Sequence, residues 1–139
     1  MVPAPALYKG LTAHLREAGN LLNGAPADPR DEFRTRLIVA VGESSVLAGW
    51  LAADMGDATA ARSYYEIAEK AAKEAGDPGI AACELAYRSY IPSTKGGHGR
   101  SRMLLTAALE TIEGYDSSPA TTAWLAARWQ PGMRRKARR

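Results

Sequence analysis

Only one of the 139 residues is a cysteine, Cys83, so no internal disulfide can form and secretion gains no support. Its expected role is that of a small buried residue, because no His or acid stands near it in a readable nucleophile motif. The two histidines are far apart, His14 read on the apolar side of a helix and His98 in a loop, and give no ligand spacing for a metal. The chain lacks the Gly-x-x-x-x-Gly-Lys-Ser/Thr spacing of a phosphate loop, and no nucleophile–base pair or cofactor motif is visible. No cofactor is therefore expected, and an enzyme is the weakest reading. Residues Met1 to Pro5 lack the basic and apolar regions of a signal peptide, and no apolar run approaches the about 20 residues of a membrane span. A cytoplasmic protein without membrane contact is the expectation.

What is present favours helices. The apolar share of 46% and the charged share of 24% are those of an ordinary globular domain, rich in Ala and Leu and poor in β-branched runs. The net charge of +3 is unevenly placed: Arg134, Arg135, Lys136, Arg138 and Arg139 supply five positive charges at the C-terminal end, and without them 13 basic residues face 15 acidic ones. The remaining chain is mildly acidic, which argues against direct nucleic-acid recognition by the folded part.

The organising stretch is Gly42 to Asp77, read as two antiparallel helices joined at Met55-Gly56-Asp57. Val46, Leu47, Gly49, Trp50 and Leu51 lie on the first; Ala61, Tyr64, Tyr65, Ala68, Ala71, Ala72 and Ala75 follow the spacing of one buried face on the second. Gly49 permits a close approach, and Tyr65 supplies the bulk that fills the gap. With Gly49, Gly56-Asp57 and Ala61-x-x-x-Tyr65-x-x-Ala68, the stretch resembles a tetratricopeptide repeat, although Ser45, Ala48 and Ala52 stand where that family usually has Trp, Leu and Tyr. The resemblance implies an all-α array of antiparallel helical hairpins, an α-solenoid of about five or six helices, that binds a protein or peptide.

The remaining punctuation divides the chain into similar units. Leu7, Leu11, His14, Leu15, Ala18, Leu21 and Leu22 predict a helix over 5–22, ending at Asn23-Gly24. Asp28-Pro29, Asp77-Pro78 and Ser118-Pro119 read as helix starts, and the helix after the first is expected to run to Asp54 with a bend at Gly42. A shift of 40 residues sets Leu47 on Tyr87, Gly56 on Gly96, Tyr65 on Leu105 and Ala68 on Ala108, which predicts hairpins over about 29–75 and 78–113, the latter with helices over 78–91 and 101–113. A partial third unit follows over 119–129. Residues 1–130 then form one domain, and 131–139 a basic, disordered tail. The period exceeds the about 34 residues of the ordinary repeat. The longer form, with its leading helix and the stretch from Leu47 to Ala53, is similar to the repeat region that follows the helix-turn-helix domain in many actinobacterial transcriptional regulators. That resemblance implies a sensing or interaction region; no helix-turn-helix precedes it here, so an isolated portion or a stand-alone relative is expected, and a homodimer is compatible.

The groove of such an array would be lined by Glu43, Val46, Trp50 and Ala53 of one unit and Cys83, Ala86, Tyr90 and Ser93 of the next. An aromatic flanked by a carboxylate could clasp a peptide, since Trp and Tyr offer large contact area with a polar tip; the alternative is that Trp50 and Tyr90 are core. The loop around Lys95, His98 and Arg100 is a weaker candidate for an anion, and a simple hairpin loop is the favoured reading. The tail at Arg134, Arg135, Lys136, Arg138 and Arg139 could touch nucleic acid through phosphates, which is the alternative functional reading. Glu66, Glu69, Lys70, Lys73 and Glu74 read as a solvated face.

Overall fold

The computed structural model describes residues 3–24, 28, 30–89 and 97–113. Five helices and no strand occur among the described residues: α1, Ala4–Gly24; α2, Glu32–Asp54; α3, Ala58–Ala75; α4, Pro78–Arg88; and α5, His98–Ile112. The fold is all-α, as expected. The unit proposed for 119–129 and the tail 131–139 lie outside the described residues.

Two Gly-Asp pairs make the connections among α2, α3 and α4. At the end of α2 the Gly56 amide donates to the Ala53 carbonyl and the Asp57 amide to Ala52; at the end of α3 the Gly76 amide donates to Lys73 and the Asp77 amide to Ala72. Both closures need a left-handed residue, and Gly56 and Gly76 adopt φ of 86° and 63° at no side-chain cost. The aspartate that completes each closure then caps the next helix: the Asp57 carboxylate accepts from the Ala60 amide, and that of Asp77 from Ile80. Pro78 occupies the first turn of α4, where its missing amide hydrogen costs nothing.

The start of α2 differs from expectation. Asp31, not Asp28, is the cap, accepting from the Phe33 and Arg34 amides, while Asp28 is engaged with the Arg30 amide. From there α2 continues unbroken through Gly42. It is also the one helix among the described residues long and apolar enough to cross a membrane, which corrects the expectation of no such run. Its apolar content is used in packing: Ile38, Val46, Ala48, Leu51 and Ala52 are all buried.

The contacts between α2 and α3 form a ladder. Arg34 meets Glu74 at 3.1 Å, a Cβ placed on Gly42 would lie 3.2 Å from that of Ala71, Gly49 abuts Tyr65, and Ala52 packs with Ala61 and Tyr65. At Gly49 the approach is closest: an added Cβ would stand 2.6 Å from Tyr65 Cε1 and 2.8 Å from Cδ1. Tyr65 is fully buried there. The small residues Ser45, Ala48 and Ala52 are completely buried too, so α2 is held close to its neighbours by a lack of bulk.

Two further clusters complete the core. Val46, Ala68, Ala72 and Ile80 join α2, α3 and α4, and Ala82, Ala86, Leu105, Ala108 and Ile112 join α4 to α5. Helix α1 buries no residue fully; it rests on the core through Tyr8, whose ring meets Tyr64 edge-on at 6.0 Å. Its far end is tied by Arg34, which donates to the Leu22 carbonyl at 3.2 Å while pairing with Glu74. His14 does not lie on the apolar side: it is 83% exposed beside Glu17, and Leu21 is 60% exposed. The expected helix 78–91 is described only to Arg88, and the expected 101–113 begins at His98.

Candidate functional site

Along α2, a turn-by-turn stripe faces away from the core. Arg36, Ala40, Glu43, Leu47 and Asp54 are exposed and Trp50 is half-buried, whereas Ile38, Gly42, Ser45, Val46 and Gly49 point inward. Helix α4 flanks this stripe: Ile80 methyls come within 3.1–3.2 Å of the Gly42 Cβ position, and Cys83 and Tyr87 pack half-buried against the Val46 cluster.

Of the residues expected to line a groove, Glu43, Trp50 and Cys83 reach this surface. Val46 and Ala86 do not; they are 6% and 0% exposed and belong to two core clusters. Ala53 is half-buried, and Tyr90 and Ser93 lie outside the described residues. Leu47, 42% exposed between Glu43 and Trp50, is a surface residue absent from the expected groove set. The rotation of α2 about its axis assigns it outward.

The electrostatics of this face are set by carboxylates. Glu43 from α2 and Asp77 at the cap of α4 both act on the Cys83 thiol, and together with its burial, the larger cause, they push its pKa up. That shift disfavours the thiolate, the nucleophilic form. Glu43 and Asp54 have no ion-pair partner among the described residues.

A second group of charges, unanticipated in the sequence, lies where α4 meets α3. Glu84 is 1% exposed and pairs with Arg88 one turn on; Arg88 Nη2 also approaches Glu69 Oε2 at 3.7 Å, and Glu69 holds Lys73 at 3.2 Å. Burial pushes the Glu84 carboxyl up to about 7, against the pull of Arg88. Glu84 and Arg88 stand four apart, a spacing that reads as a surface pair, so the pairing was legible and the burial was not.

His98 and Arg100 sit exposed in the first turn of α5, which has no side-chain cap, and Lys95 lies outside the described residues. So do Arg134, Arg135, Lys136, Arg138 and Arg139. No cluster of three His, Cys, Asp or Glu side chains fit to hold a metal occurs among the described residues. Comparison with known protein families, with curated proteins and with solved structures finds no match to this chain.

Proposed function

We propose that this chain is a noncatalytic binding module, a tetratricopeptide-like array of antiparallel hairpins whose α2–α4 face takes a segment of another protein. One observation carries the reading: Glu43, Leu47 and Trp50 follow one another along α2 on a face that the core leaves uncovered, beside Cys83 of α4. An exposed Leu next to a half-buried Trp is a ready anchor, and its helical support means that binding does not have to order it. The ladder of α2–α3 contacts and the paired Gly-Asp closures support the hairpin architecture. The resemblance to the repeat region of actinobacterial regulators extends the reading to a cytoplasmic sensing role, in which occupancy biases the geometry of a regulator.

A displayed random-peptide library tests the reading, selected against the parent and against a Leu47→Ala, Trp50→Ala variant whose helicity and melting midpoint match the parent. A consensus peptide held by the parent and lost by the variant is expected. A library that yields no enriched sequence, or one retained equally by both proteins, would remove the α2–α4 face from consideration.

A further inference from the structure

Resting on that reading, we infer that the segment bound on the α2–α4 face is basic, presenting a large apolar side chain between lysines or arginines. The stripe has an order: a carboxylate at Glu43, apolar surface at Leu47 and Trp50, and a second carboxylate at Asp54, spaced by whole helical turns on one line. Asp77 adds a third carboxylate at the cap of α4, and after burial it and Glu43 both raise the Cys83 pKa. The nearby cations do not cancel them. Arg88 is engaged by Glu84 and Glu69, Lys73 by Glu69, and Arg34 by Glu74 and the Leu22 carbonyl. Arg36 alone stands on the stripe, two turns before Glu43.

A ligand that filled the apolar centre without neutralising Glu43 and Asp54 would strip water from two carboxylates and return nothing. One with cations at either side gains charge-assisted contacts and a faster, salt-sensitive approach. An acidic segment would meet like charge at both ends. Charge thus selects the ligand, and Leu47 with Trp50 anchors it.

The test uses the full chain and three short labelled peptides of equal length: lysine with leucine, glutamate with leucine, and lysine with serine. Fluorescence anisotropy is read with the parent and with Glu43→Lys, Asp54→Lys, two exposed substitutions that leave the core untouched. Saturable binding of the lysine–leucine peptide is expected, weakened about tenfold or more by the charge reversal. It should exceed binding of both other peptides and decline with added salt. Equal binding of the two leucine peptides, unchanged by the reversal, would overturn the basic ligand while leaving a binding face. Equal binding of the two lysine peptides would overturn the apolar anchor. Absence of binding by all three overturns the inference; if the displayed library also yields nothing, the proposed function falls with it.

Discussion

Two contact regions of the molecule hold α3 in opposite ways. Against α2 it presents Ala61 and Tyr65 to Gly49 and Ala52, a surface fitted by size, with the Arg34–Glu74 pair at its far end. Toward α4 it presents Ala68 and Ala72 to Ile80, but also Glu69 and Lys73 to the buried Glu84–Arg88 pair. At Gly49 and Tyr65 the first contact is a matter of volume. The second places a carboxyl that titrates near neutrality inside the protein, and so links packing to pH.

The largest effect should come from emptying the volume-fitted contact. Tyr65→Ala removes a fully buried ring and is expected to cost about 3–5 kcal/mol, read by chemical denaturation. A cost near zero would mean that Gly49 and Tyr65 do not meet.

The charged contact should respond to pH instead. Because the Glu84 pKa is raised on folding, its contribution to stability is complete when the carboxyl is protonated in both folded and unfolded chains. That contribution disappears as pH rises through about 7. Raising pH from about 5 to about 8 should therefore cost roughly 2–4 kcal/mol from this group. Glu84→Gln should flatten that slope in denaturation curves taken across the range, while Tyr65→Ala should leave it unchanged.

Gly49→Ala sharpens the volume argument. The new methyl meets the Tyr65 ring well inside van der Waals distance, an overpacking cost of about 1–3 kcal/mol that exceeds the helix-propensity gain of replacing glycine. Combining it with Tyr65→Leu should give back part of that cost, a coupling that a double-mutant cycle measures. The smallest effect belongs to the outer edge of the charged contact. Lys73→Ala removes an exposed partner of Glu69 and should change the unfolding free energy, read by chemical denaturation, by no more than about 0.5 kcal/mol.

The same contrast explains what was legible in the sequence. Gly49 opposite Tyr65, the buried Ala61–Ala68–Ala72 face, the bounds of α3 and the Asp77-Pro78 start were readable because they depend on local spacing and residue size. Asp31 displaced Asp28 as the cap because both aspartates are competent, and the choice rests on which amides the backbone turns toward each. His14 was placed on a buried face because the stripe on α1 was drawn too wide; only one side of it, through Tyr8, Leu11, Leu15, Ala18 and Leu22, is even half-buried. Val46 and Ala86, expected in a groove, are core, and Leu47, outside the expected groove set, is exposed. A helix's rotation is set by all of its neighbours together, and periodicity alone leaves it open by about one residue. Burial of Glu84 depends likewise on helices distant in sequence.

The most direct test of the α2–α4 face is amide shift mapping of the isotope-labelled chain titrated with the lysine–leucine peptide. The largest shifts are expected to cluster from Glu43 to Asp54 and from Asp77 to Tyr87, with α1 little changed. Shifts centred instead on Leu7 and Leu21 of α1, or on His98 and Arg100 at the start of α5, would contradict it.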